Sequence, residues 1–167
     1  GFNVQPTDQL NFSATAFYNQ IEDAIVTDDI SNQAICPVTE CSQDINANEA
    51  KVYGAEASLQ YAILPEWDVK ASYTYTKSEI TDGTDEGLYY NNNPRDAFNL
   101  TSTWHINPAM DVWLQHEYKS SRTRFTSIPT SGDNLEVYNL YGNRFAGYNL
   151  FNLGSSYAVN DQLRFNM

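Results

Sequence analysis

The stretch that decides the fold reads Trp67, Asp68, Val69, Lys70, Ala71, Ser72, Tyr73, Thr74, Tyr75, Thr76. Apolar and polar side chains alternate one for one, and successive side chains of an extended chain point to opposite sides. Such a run is a strand with one apolar and one polar face. The same period holds at Leu10, Phe12, Ala14, Ala16, Tyr18 against Asn11, Ser13, Thr15, Phe17, Asn19. It holds at Phe98, Leu100, Trp104, Ile106 against Asn99, Thr101, Thr103, His105, and at Phe151, Leu153, Tyr157, Val159 near the end. Two stretches alternate less cleanly: Tyr53, Ala55, Ala57, Leu59, Tyr61, and Val112, Leu114, His116, Tyr118. No helix-period stretch competes with these runs.

The connections carry a second pattern. Short ones at Gln5–Gln9, Leu64–Glu66, Asn107–Met110 and Asn160–Gln162 alternate strictly with long ones at Glu22–Glu49, Thr81–Asn93 and Thr126–Ala146. Consecutive antiparallel strands therefore put every tight turn at one end and every long loop at the other. A soluble sandwich, the competing all-β reading, has little reason to sort its loops this way. A transmembrane barrel has one, since its periplasmic turns are short and its extracellular loops long. Strands of ~9–11 tilted residues cross the hydrocarbon, and lipid offers no hydrogen bonds, so every amide at that depth must pair within a closed sheet. Trp67, Trp104 and many of the 12 tyrosines lie near strand ends, where an aromatic girdle belongs.

Composition narrows the function. The 167 residues carry 21 acids and 9 Lys plus Arg, a net charge of −12, which disfavours nucleic acid as a partner. No apolar run is long enough for a membrane-spanning helix, and no basic-then-apolar signal peptide opens the sequence. The acidity belongs to the first half; the bases of the second half sit close together, with Lys119, Arg122 and Arg124 flanked by Arg95 and Arg144. All five fall at or beyond the long-loop ends of three neighbouring strands, so a barrel gathers them at its extracellular mouth. Tyr89, Tyr90, Tyr138 and Tyr141 lie in the same loops. Arginine and tyrosine together attract and stack on an anionic aromatic complex. The bland alternative has each arginine bridging lipopolysaccharide phosphates or a carboxylate on the next strand.

Cys36 and Cys41, five apart in an exported chain, read as a disulfide closing a small loop rather than as a metal site, since neither histidine is near. The loop from Glu22 to Glu49 holds seven acids and no base, and reads as a solvated acidic face rather than a Ca²⁺ loop. Catalysis finds little support. His105 and His116 fall on opposite faces, and Ser120, Ser121 and Asp111 show no readable triad spacing.

Three stretches resemble one family. Val52-Tyr-Gly-Ala-Glu56 resembles the V-x-G-x-E strand of TonB-dependent outer-membrane receptors. Asn93-Pro94-Arg95 running into Phe98-Asn99-Leu100 resembles a P-x-x-x-F-N-L strand start of those barrels. Tyr148 to Leu153, with Tyr157 and the turn Val159 to Leu163, resembles their penultimate hairpin. The resemblance covers nearly the whole chain. It implies an all-β fold: about seven to eight strands of an antiparallel up-and-down barrel of ~22 strands. Residues 1–167 then form the C-terminal portion of the barrel, with the plug domain and the final strand absent. It further implies a Gram-negative outer membrane and TonB-dependent uptake of a ferric siderophore, on the catecholate and colicin-I-receptor-like branch. The implied partners are the ferric siderophore, the TonB complex through the plug, lipopolysaccharide, and colicins or phage. Iron arrives as cargo, with no cofactor and no resident metal. Arg95, Arg122, Arg124, Arg144, Tyr89, Tyr90, Tyr138 and Tyr141 are the expected ligand-binding residues at the mouth. The alternative function is a passive porin or a structural or adhesion barrel.

Overall fold

The computed structural model describes residues 1–22, 24–29, 41–47, 49–82, 86–89, 93–125 and 128–167, with the side chains of 24–29 and 42–47 outside the description. One eight-stranded antiparallel sheet dominates, in the order β1 (Phe2–Thr7), β2 (Leu10–Ile21), β5 (Ala50–Leu64), β6 (Trp67–Ile80), β7 (Asp96–Asn107), β8 (Met110–Lys119), β11 (Tyr148–Asn160), β12 (Leu163–Asn166). Strands neighbouring in space follow one another along the chain, as in an up-and-down barrel wall. Two further pairs lie beyond the long-loop end: β3 (Ala24–Asp29) with β4 (Ser42–Ala47), and β9 (Arg122–Thr123) with β10 (Arg144–Phe145). A helix, α1 (Gly132–Tyr141), lies between β9 and β10. Among the described residues no helix is long and apolar enough to cross a membrane, which leaves crossing by strands untouched.

Register fixes the two faces. Tyr61 sits opposite Leu10 and Val69, Ala57 opposite Ala14 and Tyr73, and Ala71 opposite Leu100. Leu100 in turn faces His116, and Leu114 faces Leu153. One face is therefore a continuous apolar sheet. The other carries Ser13, Ser58, Ser72 and Asn99 in one cross-strand row, and Thr101, Gln115 and Asn152 in another. No second layer covers the apolar face. Among the described residues only Ala50 and Ile80 are buried apolar side chains, while Leu153 is 73% and Tyr73 41% exposed. A soluble sandwich would bury that face, so the outward apolar face is the lipid-facing one. The 14 residues of β6 rise about 46 Å and, tilted by about 40°, span about 35 Å, enough for an apolar band about 25 Å tall. Trp67 pairs directly with Trp104 near the tight-turn end, and Trp67 Nε1 donates to Ser102 Oγ at 2.8 Å. Tyr18 stacks on Tyr53 at 6.4 Å at the other end, so each rim carries aromatic rings.

All four tight connections hold two residues: Asp8–Gln9, Pro65–Glu66, Pro108–Ala109 and Asp161–Gln162. Each is approached through a register shift in the ladder, where a bulge sharpens the local twist. Asn107 and Asn160 occupy equivalent places, their side-chain oxygens accepting from Ala109 N at 2.9 Å and from Gln162 N at 2.9 Å. These are Asx turns, in which the side chain stands in for a backbone acceptor.

Two expectations about the long connections fail. Much of Glu22–Glu49 is not loop: β3 and β4 continue the register of β2 and β5, since Ile21 faces Ala50 and Ala24 faces Ala47. The first ladder thus extends past the membrane as a ribbon. The absence of helix also fails at α1, which buries no residue and has no apolar stripe to show a period of 3.6.

On the polar face two aromatic rings lie over glycine. Phe17 is the cross-strand partner of Gly54, and Trp113 of Gly154. A side chain at Gly154 would run into the Trp113 ring, and one at Gly54 into the Tyr75 carbonyl and the Phe17 ring. Glycine there lets a large ring lie flat along the wall.

Candidate functional site

The long-loop ends of β7, β8 and β11 meet at one corner, and backbone bonding fixes it. Asp96 N donates to Ser120 Oγ at 3.0 Å and Ser120 N donates to Asp96 O at 2.9 Å, locking β7 to β8. Thr76 N donates to Arg95 O at 2.8 Å, tying the entry of β7 to β6. Beyond Ser120 and Ser121 the chain pairs again, Arg122 opposite Phe145 and Thr123 opposite Arg144. Asn143 closes this small ladder. Its Oδ1 accepts from Phe125 N at 2.7 Å and its Nδ2 donates to Phe125 O at 3.1 Å.

A cleft of about 100 Å³ opens there, lined by Tyr89, Asn93, Arg95, Ser120, Ser121, Arg122, Thr123 and Arg144. Beside it lies a hollow of about 500 Å³ that shares Asn93, Ser120 and Arg122 and adds Pro94, Ala97, Lys119, Phe145, Ala146 and Tyr148. No carboxylate lines either space. Arg95 Nε donates to Asp96 Oδ2 at 3.0 Å, and this bond raises its pKa above the ordinary guanidinium value, so its charge is permanent. Lys119 Nζ lies 2.9 Å from Glu117 Oε1, to which Tyr148 Oη also donates at 3.2 Å.

Of the expected residues, Arg95, Arg122, Arg144 and Tyr89 come together at the cleft. Arg124 does not line it: its guanidinium lies 3.9 Å from the centre of the Phe145 ring and 5.7 Å from that of Tyr141. Tyr141 thus ties α1 to β9. Tyr138 sits on α1, its carbonyl accepting from Gly142 N at 2.7 Å. Tyr90 lies outside the described residues. Cys41 is disulfide-bonded, and Cys36 lies outside the described residues. The reading of the sequence missed Asn93, Ser120, Ser121, Thr123, Phe145 and Tyr148. The signal available was the Ser120-Ser121-Arg122 run at the end of β8.

A second polar cluster sits at the opposite end of the same face. His105 Nδ1 is 2.7 Å from Asp111 Oδ1 and His105 Nε2 is 3.2 Å from Asp68 Oδ2. Ser156 Oγ donates to Asp111 Oδ2 at 3.2 Å, and Arg164 Nη1 lies 3.8 Å from the same oxygen. The chain of contacts crosses five strands. Both imidazole nitrogens meet carboxylates and the serine meets the aspartate, so the histidine has no hydroxyl to activate. His116 is on the other face, as its parity requires. It stacks on Phe151 at 4.5 Å, and its Nε2 donates to Asn149 Oδ1 at 2.8 Å.

A family model described as TonB dependent receptor-like, beta-barrel, matches residues 1–167. The chain is similar to the iron-regulated outer membrane virulence protein of Vibrio cholerae, 26% identical over 160 residues, 89% of this chain and 22% of that one. Its fold is similar to that of the siderophore receptor PiuA from Acinetobacter baumannii, at 23% identity, TM-score 0.61, over 92% of this chain and 20% of that one. It is also similar to the ferric-catecholate import receptor Fiu from E. coli K12, at 22% identity, TM-score 0.63, over 98% of this chain and 21% of that one. The chain spans about a fifth of the length of these relatives.

Proposed function

Because the chain belongs to the TonB-dependent receptor β-barrel family, and so to the outer membrane of a Gram-negative bacterium, we propose that it supplies barrel wall and extracellular loops to a ferric-siderophore receptor. Residues 1–167 are then the C-terminal portion of the barrel, completed by further strands and by a plug. The observation that carries this reading is the carboxylate-free cleft lined by Arg95, Arg122 and Arg144 in a chain of net charge −12. Cations left uncompensated at the mouth of an acidic protein draw an anionic complex out of solution. Capture there would precede passage through the lumen, which requires a plug moved by TonB at the expense of inner-membrane energy. Binding and gating are the function, with no bond made or broken in the cargo. The remaining Cys36–Cys41 pairing is part of the same reading, as a brace for the first extracellular ribbon. The relatives' names, an iron-regulated protein and siderophore receptors, favour this over a passive pore.

Uptake of radioactive iron by iron-starved cells tests the reading. Cells expressing the full-length receptor should accumulate ferric siderophore only while TonB is intact, and cells lacking the receptor should not. Equal passage of an uncharged sugar with and without TonB would establish a passive pore instead.

A further inference from the structure

We propose that the small cleft is a separate subsite for a compact oxyanion, a carboxylate or phosphate group, held between Arg122 and Arg144; this deepens the receptor reading and rests on it. Charge makes the first case. Three arginines line the cleft and no acid does. Among the described residues only Arg95 of the three has a carboxylate partner, Asp96 at 3.0 Å. Like charges held this close repel, and the missing counter-charge has to come from outside the chain.

Size makes the second. At about 100 Å³ the cleft takes one functional group, well below the roughly 300–1,000 Å³ of pockets that swallow a whole small ligand. The adjoining hollow of about 500 Å³, walled by Pro94, Phe145 and Tyr148, has room for the body of a ligand. Arg122 borders both spaces, whereas Arg144 belongs to the cleft alone.

Shape makes the third. The nearest ring faces already carry guanidinium groups, Phe145 with Arg122 at 5.0 Å and Arg124 at 3.9 Å, and Tyr141 with Arg124 at 5.7 Å. A flat catecholate arm would compete with those groups for ring surface. Guanidinium forks instead match two oxygens on one carbon or phosphorus, as a bidentate pair. The subsite thus selects a ferric complex whose chelator carries a carboxylate or phosphate arm. The same chemistry fits the phosphates of lipopolysaccharide in the outer leaflet, so the source needs its own arm of the test.

The experiment uses the purified full-length receptor, with ligand binding read by quenching of intrinsic fluorescence. The probes are the ferric complex of a mixed catecholate–carboxylate chelator and that of its carboxamide counterpart. Wild type should prefer the carboxylate complex by about tenfold, the worth of one charge-assisted pair. Arg144→Gln should erase the preference and leave affinity for the carboxamide complex unchanged, while Arg144→Lys keeps part of it. In parallel, the phosphate of co-purifying lipopolysaccharide is counted per receptor. A fall in Arg144→Gln with both complexes bound equally assigns the oxyanion to the lipid and still supports the subsite. Equal binding of both complexes by wild type, with lipopolysaccharide phosphate unchanged in the variant, overturns it. Failure of wild type to bind either complex or to support iron uptake would instead end the receptor reading.

Discussion

At the tight-turn end of the inward face, charges answer one another; at the long-loop end they do not. Asp68, His105, Asp111, Ser156 and Arg164 form a closed chain of contacts across five strands. Arg122 and Arg144, one membrane thickness away, look onto a cleft with no acid in its lining. Both clusters stand on the same sheet, on the same face, and both were assembled by cross-strand register. The difference teaches how to separate structural charge from functional charge. A polar group that finds its partner within the chain holds strands together, whereas one left without a partner among its neighbours is kept for something that arrives.

The premise of the comparison is that this face looks inward, and it can be broken first. Leu153→Arg, on the opposite face, should cost about 2–4 kcal/mol of stability in the membrane. Asn152→Arg, one residue earlier and pointing the other way, should cost almost nothing. Yield of heat-resistant folded barrel from outer membranes measures both, and equal losses would refute the assignment of faces. The next test sharpens the contrast between the ends. Asp111→Asn should lower stability by about 1–2 kcal/mol, because it leaves a charge-assisted network half satisfied. Arg144→Gln should leave the thermal midpoint where it was. Smaller again is the effect of Arg124→Ala, which removes two cation–π contacts worth about 0.5–1 kcal/mol each. Limited proteolysis between residues 124 and 145 should quicken several-fold, with the carboxylate preference retained. The smallest change is Trp67→Phe, which gives up the bond to Ser102 Oγ at 2.8 Å and should cost about 1 kcal/mol or less. Chemical denaturation in detergent would detect it.

The faces were legible in the sequence because lipid and water impose a period of two, and nothing in Trp67 to Thr76 obscures it. The sorting of tight turns was legible for a similar reason, since Asn-Pro and Asn-Asp pairs announce turns on their own. What escaped was structure without such a signal. Gly132–Tyr141 has no apolar stripe and buries nothing, so no pattern marks it as helix. The ribbon of β3 and β4 is strand because it prolongs a ladder already set by β2 and β5, and that cause lies outside its own residues. The mouth was half legible. Clustering of bases at strand ends located it, but which arginine lines the cleft and which packs on a ring depends on register between β9 and β10. Arg122 and Arg124 look alike in sequence; only the pairing of Phe145 and the place of Tyr141 tell them apart.

The four two-residue turns also speak to how the wall is made. Joining β1 to β2, β5 to β6, β7 to β8 and β11 to β12 closes only a tiny loop each time, so little chain entropy opposes those pairings. The pairings of β6 with β7 and β8 with β11 must each draw in a long excursion and are correspondingly slower. Folding should therefore run in units of two strands. Four hairpins would zip early and independently, and the seams between them would be the last to form and the first to part.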